Sequence, residues 1–106
     1  MTPEHKFQNK ILRPALDKIP GCYFFVKEAA SIRGLPDIVG LVNGNFFALE
    51  VKRSLKEAGK RTGRIVLQRL VLSKIRGVGG YACFVYPENL SEVLQDIREL
   101  ANPLKD

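Results

Sequence analysis

Three charged residues, Asp37, Glu50 and Lys52, flank a sequence that is typical of a tight β-hairpin turn, Asn43-Gly44-Asn45. If the first two turn residues make the bend, Asp37 lies opposite Glu50. If the last two make it, Asp37 lies opposite Lys52. In both registers the three charged side chains share one face of the sheet, because directly opposed residues point the same way.

Two carboxylates at such close range repel each other, and like charges opposed in a sheet cost roughly 0.2–1 kcal/mol. A divalent cation between them removes that repulsion, and carboxylate oxygens with water are the ligands that Mg²⁺ prefers. Lys52 adds a positive charge suited to a phosphate oxygen. The combination predicts phosphodiester hydrolysis, in which the metal generates hydroxide from water and Lys52 orients that water or stabilises the phosphate charge.

Each residue alone has a simpler interpretation. Asp37 follows Pro36 and is typical of a turn residue. Glu50 and Lys52 are each typical of exposed charges that protect the edge of a sheet. Their coincidence with a strongly basic segment favours a metal site.

The charge is concentrated in one segment. Between Val51 and Arg76 the sequence has nine basic residues and one acidic residue, a net charge of +8. The whole chain carries +6, so the rest of it carries −2. Such a block is typical of a protein that binds a polyanion. A solvated basic face is the main alternative, and an anionic membrane surface is a weaker one because Gly59 and Gly63 interrupt the block. The residues expected to contact phosphate are Arg33, Lys56, Lys60, Arg61 and Arg64.

Length and composition exclude several classes of protein. The 106 residues fit a single domain, 1–106, and the 45% hydrophobic content argues against disorder. No apolar run approaches the roughly 20 residues of a membrane span, and the polar N-terminus lacks a signal peptide. We therefore expect a cytoplasmic protein with no membrane partner, in which Cys22 and Cys83 are free thiols. With His5 as the single histidine, zinc fingers and Ser-His-Asp hydrolases are unsuited to the chain.

Hydrophobic periodicity predicts a small α/β fold. An opening helix begins at Thr2-Pro3-Glu4, and we expect Pro14 to kink or break it. The basic segment 54–63 has the composition of a mobile loop. The remaining predicted elements are strands over 22–26, 37–42 and 46–52, a helix over 65–77, a strand over 81–86 and a last helix from 87. This order gives a mixed sheet of about four strands flanked by helices, with a right-handed parallel crossover between strands three and four.

A family resemblance adds to this reading. Gly34-Leu35-Pro36-Asp37, then Glu50-Val51-Lys52, then Gln68 in the following helix resemble the pattern of PD-(D/E)XK nucleases. The sequence is most similar to the VRR-NUC (virus-type replication-repair nuclease) branch in its short stand-alone phage or bacterial form. The resemblance extends from Arg33 to about Tyr86 and follows the family's order of elements.

The resemblance implies an αβββαβ core and a C-terminal helix. It implies that Asp37, Glu50 and the Val51 carbonyl hold Mg²⁺ or Mn²⁺ and that Lys52 is the catalytic lysine. Gln68 would be the active-site glutamine, although a lone Gln on an amphipathic helix is usually exposed. Glu4 is the acid that could complete the site from the first helix. The family further implies a homodimer that acts on branched DNA, as Holliday-junction resolvases do.

Two other functions remain open. A non-catalytic nucleic-acid-binding module would carry Asp37 and Glu50 only as hairpin decoration. A restriction-type enzyme for one duplex sequence is disfavoured, because no extra segment is present to read a groove. The interface of a dimer could be either Tyr23-Phe24-Phe25 or the C-terminal helix, since an active site on each small domain suggests a two-fold pair for cutting both strands.

Overall fold

Four short runs rich in β-branched and aromatic residues form one sheet in the computed structural model, which describes residues 1–27 and 34–102. The strand order is β1-β2-β3-β4, with antiparallel pairing of β1 with β2 and of β2 with β3, and parallel pairing of β3 with β4. The predicted mixed sheet is thereby confirmed. The strands are β1 (Cys22–Val26), β2 (Ile38–Val42), β3 (Asn45–Val51) and β4 (Tyr81–Val85).

The turn between β2 and β3 sets the position of the charged residues. Asn43 and Gly44 both have positive φ, 47° and 85°, as a type I′ turn requires. The register pairs Ile38 with Leu49, so Asp37, one residue before β2, lies opposite Glu50. The first of the two predicted registers is therefore the correct one.

The first helix does not break at Pro14. The chain is helical through α1 (Pro3–Phe7), a π-helical turn (Gln8–Leu12) and α2 (Arg13–Asp17). Within the π-helical turn the Arg13 N–H donates to the Gln8 carbonyl. Pro14 falls in the first turn of α2, where a missing N–H is tolerated. Of the predicted kink or break, the break was therefore wrong.

The second half of the chain is more helical than predicted. The segment expected to be a loop contains the short helix α3 (Leu55–Ala58), because the Ser54 hydroxyl accepts the Glu57 N–H at 3.1 Å and caps its first turn. Helix α4 (Gly63–Gly77) is capped in the same way by Thr62. The final elements are a 3₁₀ turn (Pro87–Asn89) and α5 (Leu90–Ala101).

The sheet separates two unequal layers. On one face α1, α2 and α5 pack against the main core, to which Phe47, Leu49 and Val51 contribute, as predicted. On the other face α4 covers a small apolar cluster of Ala48, Leu72 and Ala82. In the described part of the chain, no helix is long and apolar enough to cross a membrane. Both cysteines are unbridged.

Candidate metal and nucleic-acid site

The Asp37 and Glu50 carboxyl groups meet on the α4 face of the sheet. The Asp37 Oδ2 accepts the Val51 backbone N–H at 2.8 Å, which fixes its side chain against the end of β3. Glu50 is only 4% exposed. Burial, and then the neighbouring Asp37 carboxyl group, raise the pKa of Glu50 to about 8. The two acids are therefore close enough to share a proton or a cation.

Gln68 on α4 is buried beside Glu50 and is hydrogen-bonded to it. Its Nε2 donates to Glu50 Oε2 at 3.3 Å, and the residue is only 9% exposed. Gln68 is therefore buried, whereas helix statistics favoured an exposed side chain. Among the described residues, Gln68 Oε1 has no hydrogen-bond partner although it is buried. A buried amide oxygen without a donor is costly, so this atom marks a place where a bound water or ligand would be stabilised.

Lys52 lies on the same face, one pleat beyond Glu50. It is 6% exposed, its Nζ lies 5.9 Å above the centre of the Phe84 ring, and its positive charge lowers the pKa of Glu50. Within residues 1–27 and 34–102, no carboxylate oxygen lies within 4.0 Å of its ammonium group. Its charge is thus held near the acid pair without being neutralised by direct contact.

A second lysine reaches the site, and the sequence did not indicate it. Lys27 Nζ lies 3.8 Å from Asp37 Oδ1 and donates to the Leu35 carbonyl at 3.0 Å. Its backbone N–H donates to the Asp37 carbonyl at 2.7 Å. The pairing of Val26 with Ile38 places Lys27 opposite Asp37, so knowledge of the β1–β2 register would have revealed it.

The Val51 carbonyl and Glu4, the other two predicted ligands, both lie toward this region. Burial raises the pKa of Glu4, the Lys52 charge lowers it and the Asp37 charge raises it, which places the Glu4 carboxyl within electrostatic range of the site. The N–H and C=O of a strand residue point to the same side, so the Val51 carbonyl faces the Asp37 side of β3. No group of three His, Cys, Asp or Glu side chains in the described residues is arranged as a metal cage.

The residues present still suit Mg²⁺. This ion keeps several waters and commonly uses only one or two protein carboxylates together with substrate phosphates. Asp37 and Glu50 supply two hard oxygen donors. The partnerless Gln68 Oε1 is an acceptor for a water held beside them. The group that the resemblance implies therefore fits the donor set.

Four of the five predicted phosphate-contacting residues lie in the described part of the chain, and all four are exposed; we call them the basic rim. Lys60 contacts Glu57 Oε1 at 3.1 Å, and the same carboxylate contacts Arg53 at 3.3 Å. Arg64 borders a hollow of about 480 Å³ that also contains Glu4. Lys56 and Arg61 are exposed, and Arg33 lies outside the described residues. The rim therefore adds exposed positive charge on α3 and at the start of α4, with Arg64 beside Glu4.

Comparisons with protein-family models, curated proteins and solved structures give no match. The acid pair, the two lysines and the buried glutamine therefore carry the functional argument by their own geometry, together with the sequence resemblance.

Proposed function

We propose that this chain is a metal-dependent DNA endonuclease of the PD-(D/E)XK type, within the VRR-NUC branch. Mg²⁺, for which Mn²⁺ can substitute, is held by Asp37, Glu50 and the Val51 carbonyl. The observation that carries the proposal is the register of β2 and β3, which sets Asp37 opposite the buried Glu50 on one face of the sheet. A pair whose ionised form is this unfavourable is typical of a functional site.

The chain's own residues have distinct roles in the proposed reaction. The bound metal would lower the pKa of a water and offset charge on the phosphate. Gln68 Oε1 would accept a hydrogen bond from the attacking water and orient it. Lys52 would stabilise the charge that develops on the phosphoryl oxygens. Glu50 must release its proton before it can act as a ligand, so metal binding releases a proton near neutral pH.

The substrate and assembly are part of the same proposal. We assign branched DNA as the substrate, a homodimer as the acting form and the cytoplasm as its location. The apolar side of α5 is buried in the main core, whereas Tyr23 and Phe25 are exposed and stack edge to face, with their ring centres 5.2 Å apart. This exposed aromatic pair supports β1 rather than α5 as the dimer surface.

Cleavage of a labelled four-way DNA junction tests the activity. We expect cutting in Mg²⁺ and Mn²⁺, and no cutting with chelator or in Asp37→Asn, Glu50→Gln or Lys52→Met. Glu92→Gln removes an acidic residue in the first turn of α5 and is the matched control that should retain activity. Cutting that survives both chelator and Asp37→Asn would refute the metal site.

A non-catalytic nucleic-acid-binding module is the second candidate. It is favoured by the Lys27–Asp37 ion pair, which already compensates one of the two acids without a metal. Chelator-resistant binding of the junction, with no cleavage in either metal, would support this alternative. Cutting confined to one duplex sequence would instead indicate a restriction-type enzyme.

A further inference from the structure

Lys27 is a charged residue beside the acid pair that has no role in the reaction proposed above. The registers of β1 with β2 and of β2 with β3 set Lys27, Asp37 and Glu50 side by side at the ends of neighbouring strands. Directly opposed residues point the same way, so all three side chains lie on the α4 face. A cation, an acid and a second acid therefore form one row across the sheet.

The Lys27 ammonium group is held close to Asp37 by a contact with the backbone. It donates to the Leu35 carbonyl at 3.0 Å and lies 3.8 Å from Asp37 Oδ1, beyond hydrogen-bond distance. Lys27 also lowers the pKa of Glu50, so its charge acts on both acids. Because Oδ1 is the oxygen beside Lys27, a metal ion bound to it would lie close to an ammonium group.

Lys27 and Lys52 differ in how their ammonium groups are placed. The Lys52 Nζ lies 5.9 Å from the centre of the Phe84 ring, and in the described part of the chain no carboxylate oxygen lies within 4.0 Å of it. Lys27 has such a contact, and the carboxylate is the predicted metal ligand Asp37. Lys27 is therefore the lysine whose charge most directly opposes a cation at this ligand.

The formal charges at the site cancel before any metal binds. When both members of the acid pair are ionised they carry −2, and Lys27 with Lys52 carries +2. Glu4, which borders the site from α1, has Arg64 as a neighbouring cation. A divalent ion would thus bring an excess of positive charge, and the phosphate groups of DNA are the charges that offset it.

We propose that Lys27 is a built-in counter-ion of the acid pair that weakens metal binding until DNA is present. In the chain alone, its ammonium group repels a divalent ion at Asp37 and Glu50. A DNA phosphate at the site gives this ammonium group a new partner and offsets the repulsion. DNA and metal then strengthen each other's binding by the same factor, as linkage requires. This inference rests on the proposed function and adds regulation by the substrate to the same site.

The dissociation constant of Mn²⁺ in the absence of DNA tests the role of Lys27. It is measured on the full chain by electron paramagnetic resonance of the free ion, above pH 8, where Glu50 is mainly ionised. Lys27→Met should bind Mn²⁺ about ten-fold more tightly than the native chain, because a positive charge beside the ligands is removed. Lys27→Arg keeps the charge and should bind as the native chain does. Lys18→Met removes the same charge at the end of α2, on the core face, and should leave the constant unchanged.

A second titration adds a four-way DNA junction whose linkages are all phosphorothioates, which resist hydrolysis. The junction should tighten Mn²⁺ binding by the native chain about ten-fold or more, and by a smaller factor in Lys27→Met. Lys27→Gln is a second neutral variant and should behave as Lys27→Met does. Thermal unfolding of each variant shows that the fold is retained.

Three results would overturn the inference. They are equal Mn²⁺ affinities of the native chain and the two neutral variants without DNA, weaker binding by both neutral variants, and an equal effect of the junction on the native chain and Lys27→Met. If Asp37→Asn loses Mn²⁺ binding in the same titrations, these results leave the proposed metal site intact. Absence of Mn²⁺ binding in every protein, with and without the junction, would instead refute the metal site and this inference with it.

Discussion

The two faces of the sheet use the same strand in opposite ways. Residues 47, 49 and 51 of β3 point into an apolar core that is closed by α1, α2 and α5. The alternate positions hold Ala48, Glu50 and then Lys52, and they face α4. The first face is built from apolar side chains that gain stability by leaving water. The second face buries charged and polar groups, which oppose folding unless each finds a partner.

This difference indicates that the α4 face was not shaped for stability alone. Its apolar cluster has three buried members, and the neighbouring buried side chains are Glu50, Lys52 and Gln68. Ionised Glu50 beside Asp37 is destabilising until something positive reaches it. The core face supplies the stability that allows the α4 face to hold this arrangement.

Truncation of the core face should have the largest effect on folding. Phe47→Ala removes a fully buried ring and is expected to lower the free energy of unfolding by about 3–5 kcal/mol, measured by urea denaturation. Phe46→Ala is the matched control on the opposite face, because Phe46 is 41% exposed. Its loss should be much smaller, and equal losses at the two positions would contradict the assignment of the faces.

Substitution of Glu50 on the α4 face should raise stability, whereas Phe47→Ala on the core face lowers it. Glu50 has its pKa raised from 4.5 to about 8 in the folded chain. Between these pH values the folded chain keeps a proton that the unfolded chain has released, so the free energy of unfolding falls as pH rises. Glu50→Gln removes this fall and should raise metal-free stability at pH 8 by up to about 4 kcal/mol. The new amide could also donate to Gln68 Oε1.

The control is a pH series on both proteins without metal. The native sequence should lose stability across this window, whereas Glu50→Gln should follow a flatter curve. The pH dependence of stability in Asp37→Asn should be intermediate between those of the other two proteins. This substitution removes the neighbouring charge but not the burial that raises the pKa of Glu50. Parallel curves for all three proteins would show that the acid pair does not oppose folding.

The sequence predicted the sheet and the acid pair for a local reason. An Asn-Gly turn fixes the register of its own hairpin, and the register fixes which side chains are opposed. Asp37 and Glu50 could therefore be paired from spacing once the turn was assigned. The remaining ambiguity of one residue in the turn was resolved by the positive φ of Asn43 and Gly44.

The contacts that the sequence could not predict depend on packing between separate elements. Helical spacing alone places Gln68 on the buried face of α4, three residues after Ile65 and four before Leu72. Its contact with Glu50 could not be predicted, because it depends on how α4 lies across β3. Lys27 reaches Asp37 through the β1–β2 register, which no short turn specifies. The π-helical turn before Pro14 likewise has no local signature in the sequence.

Mg²⁺ bound between Asp37 and Glu50 should offset the loss of stability that ionised Glu50 causes on the α4 face. A cation that binds the folded chain alone stabilises it by about 1.4 kcal/mol at ten times its dissociation constant. We expect this increase in thermal unfolding at pH 8 and a smaller one at pH 5, because binding must first displace the Glu50 proton. Glu50→Gln should lose the response, and an equal response in that variant would place the ion elsewhere.

The basic rim should show the smallest effects, and these should differ from residue to residue. Arg64→Ala removes a charge that has no ion-pair contact among the described residues, so it should weaken DNA binding and reduce the slope of log K against log salt by about 1. Lys60→Ala should change the slope less, because Glu57 already contacts that ammonium at 3.1 Å. Lys74→Ala, near the other end of α4, is the control. A uniform change across the three variants would mean that net charge, rather than the rim beside the acid pair, governs binding.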